Sequence, residues 1–241
     1  MGTSTSYSAP GSWGPLKREV TTAASAGAAS AATAGRVIGH FIQQNGGAAR
    51  MSSGAGSGGT IGGSAGRAVA QRLGGFISAV GDVGLAEALR REGLSDLAGR
   101  PAQEILAALL DRIGGPASTI DDVDARTALA RLQEELLRDA RTPEDVERVL
   151  QEQAASLDVM LHNYFGAYLF EQFCRVFFER LVQKKGEPKA LAFLADIKEF
   201  IKATLVNRVG RRVIAKISWA GKEGAQLCAD VMQATLEVFL T

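Results

Sequence analysis

The chain has 241 residues, a net charge of +1 and 46% hydrophobic but only 6% aromatic residues, a size that allows one large domain or two small ones. Its interspersed charges exclude the basic surface of a nucleic-acid-wrapping protein, and no run of about 18 apolar uncharged residues indicates a membrane span. Two cysteines give no disulfide framework and no secretory signal is evident, so we expect a cytoplasmic protein in a reducing compartment.

Residues 1–17 form a polar segment of glycine, proline and hydroxyl residues with few apolar anchors. This composition predicts a flexible N-terminal arm. A small second residue permits removal of Met1, which would leave Gly2 as an unhindered amino terminus that is partly neutral and nucleophilic at cellular pH. Small polar residues that offer hydroxyls and free backbone groups for capture by a partner follow it: Thr3, Ser4 and Thr5. The sequence therefore predicts a presented Gly2.

The same start permits two other interpretations. Met1–Ser6 matches the N-myristoylation pattern, which needs a eukaryotic transferase, whereas the Ala-, Arg- and Gly-rich usage of this chain is typical of bacteria. The second interpretation is an ordinary disordered terminus without a function of its own.

An Ala/Gly/Ser-rich low-complexity region is expected over residues 18–66. Its alanine-rich part, from Arg18 to about Gln44, is compatible with a helix, and Asn45-Gly46-Gly47 is a typical stop signal. The glycine and serine tract over 54–66 is typical of a segment that is disordered or ordered only by a partner.

Residues 67–241 show repeated helical periodicity and are expected to form a helical bundle domain. The helical segments predicted in its first part are, in chain order, 69–80, 85–93, a short one from Ser95, and 101–113. Gly114-Gly115-Pro116 ends the last of them.

Two start signals open the next helices. Acidic residues at Asp121-Asp122 suit a helix N-terminus, and Thr142-Pro143-Glu144-Asp145 combines an N-cap, a proline at the first position and acids. The apolar pattern is densest over 157–182, which predicts a central helix. Two more helices are expected over 191–209 and 213–240, and no period-two alternation is sustained, so the predicted fold is an all-α bundle.

Features with a possible chemistry are few. Gly54–Gly59 matches the dinucleotide pattern G-x-G-x-x-G, but no strand precedes it. His40 and His162 have no ligand residues at metal-binding spacing. Cys174 lies among phenylalanines, surroundings that raise a thiol pKa and favour a core role. We therefore predict no cofactor, no metal and no enzymatic activity, with a hydrolase based on Cys174 or His162 as a third hypothesis.

Small residues recur every four positions along one stretch: Gly54, Gly58, Gly62, Gly66, Ala70, Gly74 and Ser78. Such a stripe permits close helix approach in membranes, which supports an alternative function, a membrane-active effector that uses a glycine-zipper helix. Arg67 and Arg72 interrupt the stripe, and each helical glycine costs roughly 1 kcal/mol relative to alanine. Disorder, or folding against a partner, is therefore favoured over a membrane zipper.

Basic residues accumulate in the C-terminal part: Lys184, Lys185, Lys198, Lys202, Arg208, Arg211, Arg212, Lys216 and Lys222. A solvated helix face is the usual explanation, and a phosphate-bearing partner is the alternative.

Several of these features together resemble the QatB family, the small accessory component of the bacterial Qat anti-phage defence system. The specific part comprises Met1–Ser6 and Gly11–Pro15, which ends in a Gly-Pro turn. Arg36–Phe41 before Ala48–Met51, the low-complexity region and the helical C-terminal part support the resemblance more loosely.

The resemblance implies three neighbours: a P-loop ATPase (QatA-type), a QueC-like enzyme (QatC-type) and a TatD-like nuclease. QueC-type enzymes activate a carboxylated deazaguanine with ATP and pass it to an amine, and a relative that acts on proteins would need an exposed amino-terminal glycine. The leading hypothesis is a non-enzymatic defence component. Its helical body would dock a partner, and its arm would present Gly2 to the QueC-like enzyme for a nucleobase-type conjugation.

Overall fold

The computed structural model of the chain describes residues 13–26, 29–54, 61–209, 214 and 217–240. Within these ranges the regular structure consists of α-helices and two short 3-10 turns, without a strand, which confirms the predicted all-α bundle. The helices are α1 (Gly14–Ala23), α2 (Ala31–Gln44), α3 (Gly47–Ser53), α4 (Ser64–Val83), α5 (Leu85–Arg91), α6 (Ala102–Gly114), α7 (Ile120–Leu136), α8 (Pro143–Ala155), α9 (Leu157–Lys185), α10 (Glu187–Arg208) and α11 (Lys222–Glu237).

The central element is α9, a helix of 29 residues that α7 and α10 flank along much of its length, with α4 and α11 also against it. Its buried aromatic residues form the middle of the core: Tyr164, Phe165, Tyr168, Phe170, Phe173 and Phe177. A helix that is apolar on nearly all sides must be surrounded by other elements. The predicted central helix over 157–182 is therefore confirmed.

The N-terminal helices share the same core. Leu16 and Val20 of α1 and Phe41 of α2 are fully buried in one apolar cluster with residues of the later helices. The predicted stop signal is confirmed, because α2 ends at Gln44 and Gly46 has a φ of 94°, in the left-handed region that favours glycine. The division into segments 1–17, 18–66 and 67–241 stays a prediction.

Both predicted start signals are confirmed, and each forms a capping box. In α8 the Thr142 hydroxyl accepts a hydrogen bond from the Asp145 backbone N–H at 3.2 Å, and the Asp145 carboxylate accepts one from the Thr142 N–H at 3.1 Å. Thr119 and Asp122 make the equivalent pair at the start of α7. These reciprocal bonds satisfy backbone donors that a helix start otherwise leaves unpaired.

The prediction for the last helix is wrong at its beginning. Among the described residues, 217–221 are not helical, and α11 begins at Lys222, after a turn closed by the Gly221 N–H donating to the Ser218 carbonyl at 3.2 Å. The Gly224 N–H also donates to Ser218, at 3.3 Å. A Cβ on Gly224 would lie 2.4 Å from the Trp219 carbonyl oxygen, so the turn requires this glycine.

Candidate functional site

The residues predicted to contact a partner's active site, Gly2, Thr3, Ser4 and Thr5, lie outside the described residues. The described part of the site is the point where the arm joins the helical body. The contacts and charges around this point show how the helical body holds Trp13.

Trp13 fixes the root of the arm. Its side chain is 2% exposed, and its ring stands edge-on to Phe41 with the centroids 5.9 Å apart. Phe41 makes similar edge contacts with Phe173 and Phe177 of α9, at 5.4 and 6.1 Å. Edge-to-face aromatic pairs at such distances add stability beyond the area they bury. Trp13, which lies within the predicted arm of residues 1–17, is therefore joined to the central helix by a continuous series of aromatic contacts.

The burial of Trp13 has a signal in the sequence, although the polar composition of residues 1–17 as a whole predicted a flexible arm. Trp13, Leu16 and Val20 lie at positions i, i+3 and i+7, the spacing of one helical face. Pro15 occupies the first turn of α1, where its fixed φ is preorganised for a helix. The buried face of α1 consequently begins one residue before the helix itself.

A polar cluster lies beside this root on the surface of α1 and α2. The Glu19 carboxylate accepts from Arg36 Nε at 3.0 Å and pairs with His40 Nδ1 at 2.9 Å, and the Gln44 amide nitrogen lies 3.2 Å from His40 Nε2. The cluster forms one wall of a cleft of about 760 Å³ between α2, α10 and residues 238–240. No group of three or more metal-ligating side chains occurs among the described residues.

A second polar cluster lies between α7 and α9, in which Asp124 and Glu171 are buried and Arg131 is partly exposed. Arg175 lies 2.9 Å from the Asp124 carboxylate, and Arg131 pairs with Glu171. Burial raises the pKa of Asp124 to about 7, with Arg175 opposing the shift and the nearby carboxylates of Asp121 and Glu171 adding to it. Burial also raises the pKa of Glu171, against the influence of Arg131.

Other polar side chains of α7 and α9 hold the backbone that leads into α4. The Tyr168 hydroxyl donates to the Gly62 carbonyl at 3.2 Å and to the Asp121 carboxylate, and the Gln172 amide donates to Gly62 at 2.9 Å. On the other side, the Ile61 N–H donates to the Asn45 side-chain oxygen at 2.9 Å. Residues 61–63 are buried as a result.

The glycine tract starts and ends on this fixed base. The Gly63 N–H donates to the Gly54 carbonyl at 3.0 Å, which brings the two ends of the tract together. Residues 55–60, with most of the dinucleotide-like pattern, lie outside the described residues. The element before the tract is the helix α3, whereas a dinucleotide fingerprint follows a strand.

The described part of the small-residue stripe packs inside the protein. A Cβ on Gly66 would lie 2.4 Å from the Tyr168 ring, and one on Gly74 would lie 2.2 Å from the Trp219 ring. Ala70, between them, is fully buried. The small residues of the stripe therefore make room for the Tyr168 and Trp219 rings of the same protein. Among the described helices, none combines the length and the apolar character that crossing a bilayer requires.

Of the two residues of the hydrolase hypothesis, His162 is buried and Cys174 is partly buried. His162 is 5% exposed, with Nδ1 2.7 Å from the Thr235 hydroxyl and Nε2 3.8 Å from the Asp158 carboxylate. Burial raises the pKa of the Cys174 thiol far above its usual range, and it raises that of Cys228 to about 12. Because the thiolate is the nucleophile, neither cysteine is activated at neutral pH.

These observations define an all-α protein in which Trp13 is buried in the core and a hydrogen bond between Gly54 and Gly63 brings the two ends of the glycine-rich tract together. Among models of protein families, residues 44–239 match the one described as Qat anti-phage system associated protein QatB. The match spans about four fifths of the chain, so the chain belongs to the QatB family and is a component of the Qat anti-phage defence system. Neither the curated proteins nor the solved structures gave a match.

The family match and the earlier resemblance depend largely on different parts of the chain. The resemblance was specific over Met1–Ser6 and Gly11–Pro15, whereas the matched region begins at the last residue of α2 and covers the body from α3 to the end of α11. The Qat system to which this family belongs has several components.

Proposed function

We propose that this protein is the acceptor and scaffold subunit of its defence complex, and that its arm carries Gly2 into the active site of a QueC-like partner enzyme. In the proposed step the neutral Gly2 amine attacks a carboxyl carbon that the partner has activated with ATP. An amide bond forms, the activating group leaves and the amine releases one proton. The carboxylated group is of the deazaguanine class.

The observation that supports the proposal is the burial of Trp13. Because Trp13 is held in the core and Gly2 precedes it by eleven positions, the distance that Gly2 can reach from the body is limited. Eleven residues span at most about 36–40 Å when fully extended. A partner that docks on the body within this distance meets Gly2 at a high effective concentration.

The described body favours a scaffold over a catalyst. Its thiols have raised pKa values, and His162 is enclosed by Thr235 and Asp158. In the proposal the partner supplies ATP and the activated group, and this chain supplies a positioned amine. Thr3, Ser4 and Thr5 would be held in an extended conformation along the partner's active-site groove.

Replacing Gly2 tests the proposal. Gly2→Pro and a variant with an added N-terminal tag, each co-expressed with the ATPase, the QueC-like enzyme and the TatD-like nuclease, should lack a mass addition on the N-terminal peptide and should lose phage protection. The physical reason is that a hindered or displaced amine cannot attack the activated carboxyl carbon. Peptide mass spectrometry and plaque counts measure the two outcomes.

Ser8→Ala is the matched control within the arm, and it should keep both the mass addition and protection. Circular dichroism should give the same helix content and melting temperature for all variants, because residue 2 lies eleven positions before the buried Trp13. A Gly2→Pro protein that still gains mass at its terminus, or a wild type that protects with an unmodified Gly2, would contradict the proposal.

A further inference from the structure

A groove of about 330 Å³ lies between α7, α9 and α10. Its apolar surface comes from all three helices and includes Leu132, Leu136, Phe170, Ile201 and Leu205. On α10 the lining extends from Lys198 to Val206, which is two helical turns or about 12 Å. A concave apolar surface of this size is typical of a binding site.

An exposed apolar residue stands at the edge of the groove. Val206 is 80% exposed, the highest value among the exposed large hydrophobic residues of the described chain, whereas its neighbour Leu205 is 4% exposed. A ligand confined to the cavity would leave the Val206 side chain in water. A helix laid along α10 would cover the groove and Val206 together.

The rim of the groove is positively charged. Lys198 and Lys202 share one carboxylate oxygen of Glu135, at 3.1 and 2.7 Å. Burial alone would raise the pKa of Glu135, but the hydrogen bonds from the two lysines lower it, so this carboxylate is ionised at neutral pH.

Arg131 completes the rim, where it pairs with Glu171 and lies 5.6 Å from the centre of the Phe170 ring. Three cations therefore face at most two carboxylate charges, which leaves an excess of at least one positive charge. This excess complements an acidic partner and disfavours a basic one.

We infer that the groove docks an acidic amphipathic helix of the partner enzyme that receives the arm, with apolar residues on the floor and a carboxylate beside the lysine pair. The inference rests on the proposed function and names the surface that holds the enzyme while Gly2 reacts. Helix-in-groove recognition of this kind uses apolar anchors at i, i+3, i+4 and i+7. Two turns of such a helix match the length of the groove.

The arm root lies within reach of this groove. The groove lining on α9 ends at Phe170, and Phe173, which contacts Phe41 beside Trp13, follows three residues later, or about 5 Å along the helix axis. The arm extends up to about 36–40 Å from Trp13. An enzyme seated in the groove is therefore close enough to receive Gly2.

The test compares two exposed apolar residues of the same helix. Val206→Glu places a charge at the groove, whereas Leu191→Glu makes the same change at a position that is 51% exposed and outside the groove lining. We expect Val206→Glu to weaken binding of the purified QueC-like enzyme at least tenfold in calorimetric titration, and Leu191→Glu to change it less than twofold. Lys202→Glu should weaken it at least threefold through the lost charge complementarity.

Gly2→Pro separates docking from chemistry, since this variant should still bind the enzyme through the groove and remain unmodified. Wild-type affinity in Val206→Glu, or equal losses in Val206→Glu and Leu191→Glu, would overturn the groove assignment. If the wild-type protein nevertheless carries the mass addition on Gly2, the proposed function still stands. A wild type that neither binds the enzyme nor gains mass would overturn both. Val206 is exposed, so its replacement does not threaten folding.

Discussion

Asp124 combines burial with an ion pair, and the two effects oppose each other. Its residue is 7% exposed, and Arg175 lies 2.9 Å from its carboxylate. Removal from water disfavours the charged form more than one cation favours it, particularly with Asp121 and Glu171 nearby, so the pKa rises from 3.8 to about 7. Between about pH 4 and about pH 7, Asp124 therefore keeps its proton in the folded protein, whereas it has lost the proton in the unfolded chain.

This shift has a defined effect on stability. A raised folded-state pKa contributes stability that is fully present below the unfolded pKa and is lost as the pH rises through the folded pKa. We expect Asp124→Asn, which resembles the protonated acid, to gain stability relative to the wild type as the pH rises from about 4 to about 7. The relative gain should be on the order of a few kcal/mol, measured by urea unfolding at each pH.

Asp139→Asn is the control, because Asp139 is an exposed aspartate in the same part of the chain. Its stability should follow the wild type at every pH. A constant difference between Asp124→Asn and the wild type over this range would contradict the raised pKa of Asp124.

The environment of a single residue could be predicted from the sequence where its neighbours along the chain determine that environment. Cys174 was expected to be inert because phenylalanines surround it in the sequence, and the structure agrees. The depth of Asp124 was not predicted, since it depends on how α7 meets α9. Trp13 was assigned to the flexible arm by composition, and its burial depends on contacts with Phe41, which is distant in the sequence.

Helix starts were the most predictable elements, because their signals are local. Thr142-Pro143-Glu144-Asp145 places α8 at the residues where the structure has it, and the hydrogen bonds that explain the signal lie within four residues. Backbone hydrogen bonds from Arg141 and Thr142 lower the pKa of Asp145, so this carboxylate stays charged to a lower pH than an ordinary aspartate.

Thr142→Ala should destabilise the protein by about 1 kcal/mol, because the hydroxyl that accepts from the Asp145 N–H is lost. Urea unfolding followed by circular dichroism measures the change. Thr142→Ser keeps the hydroxyl and should retain most of the stability. Equal losses in the two variants would show that the methyl group, and not the cap, stabilises this helix.

Two elements show why local patterns fail. The apolar periodicity after residue 213 predicted one long helix, but the turn before Lys222 depends on Gly224 lying against the Trp219 backbone. The small-residue stripe of α4 would allow close packing either against another helix in a membrane or against an aromatic ring of the same protein. Only the positions of Tyr168 and Trp219 distinguish these two uses.

At the scale of the whole molecule, the body and the arm divide the work of the proposed function. The bundle buries Trp13 and contains the groove between α7, α9 and α10, and in the proposal the arm carries Gly2 over a distance limited by its length. The sequence predicted the fold class and the family correctly, because helical periodicity and motif composition are visible in a single chain. It showed the basic residues Lys198 and Lys202 of the groove rim but not the groove itself, since the three walls come from residues far apart in the sequence.

The most direct test is the mass of the N-terminal peptide of the wild-type protein purified from phage-protected cells that express the complete Qat gene set. We predict a peptide that has lost Met1 and carries one covalent addition on the α-amine of Gly2, present only when the QueC-like enzyme is active. A free, unmodified Gly2 in protected cells, or the same addition at another residue, would contradict the proposed role of the arm.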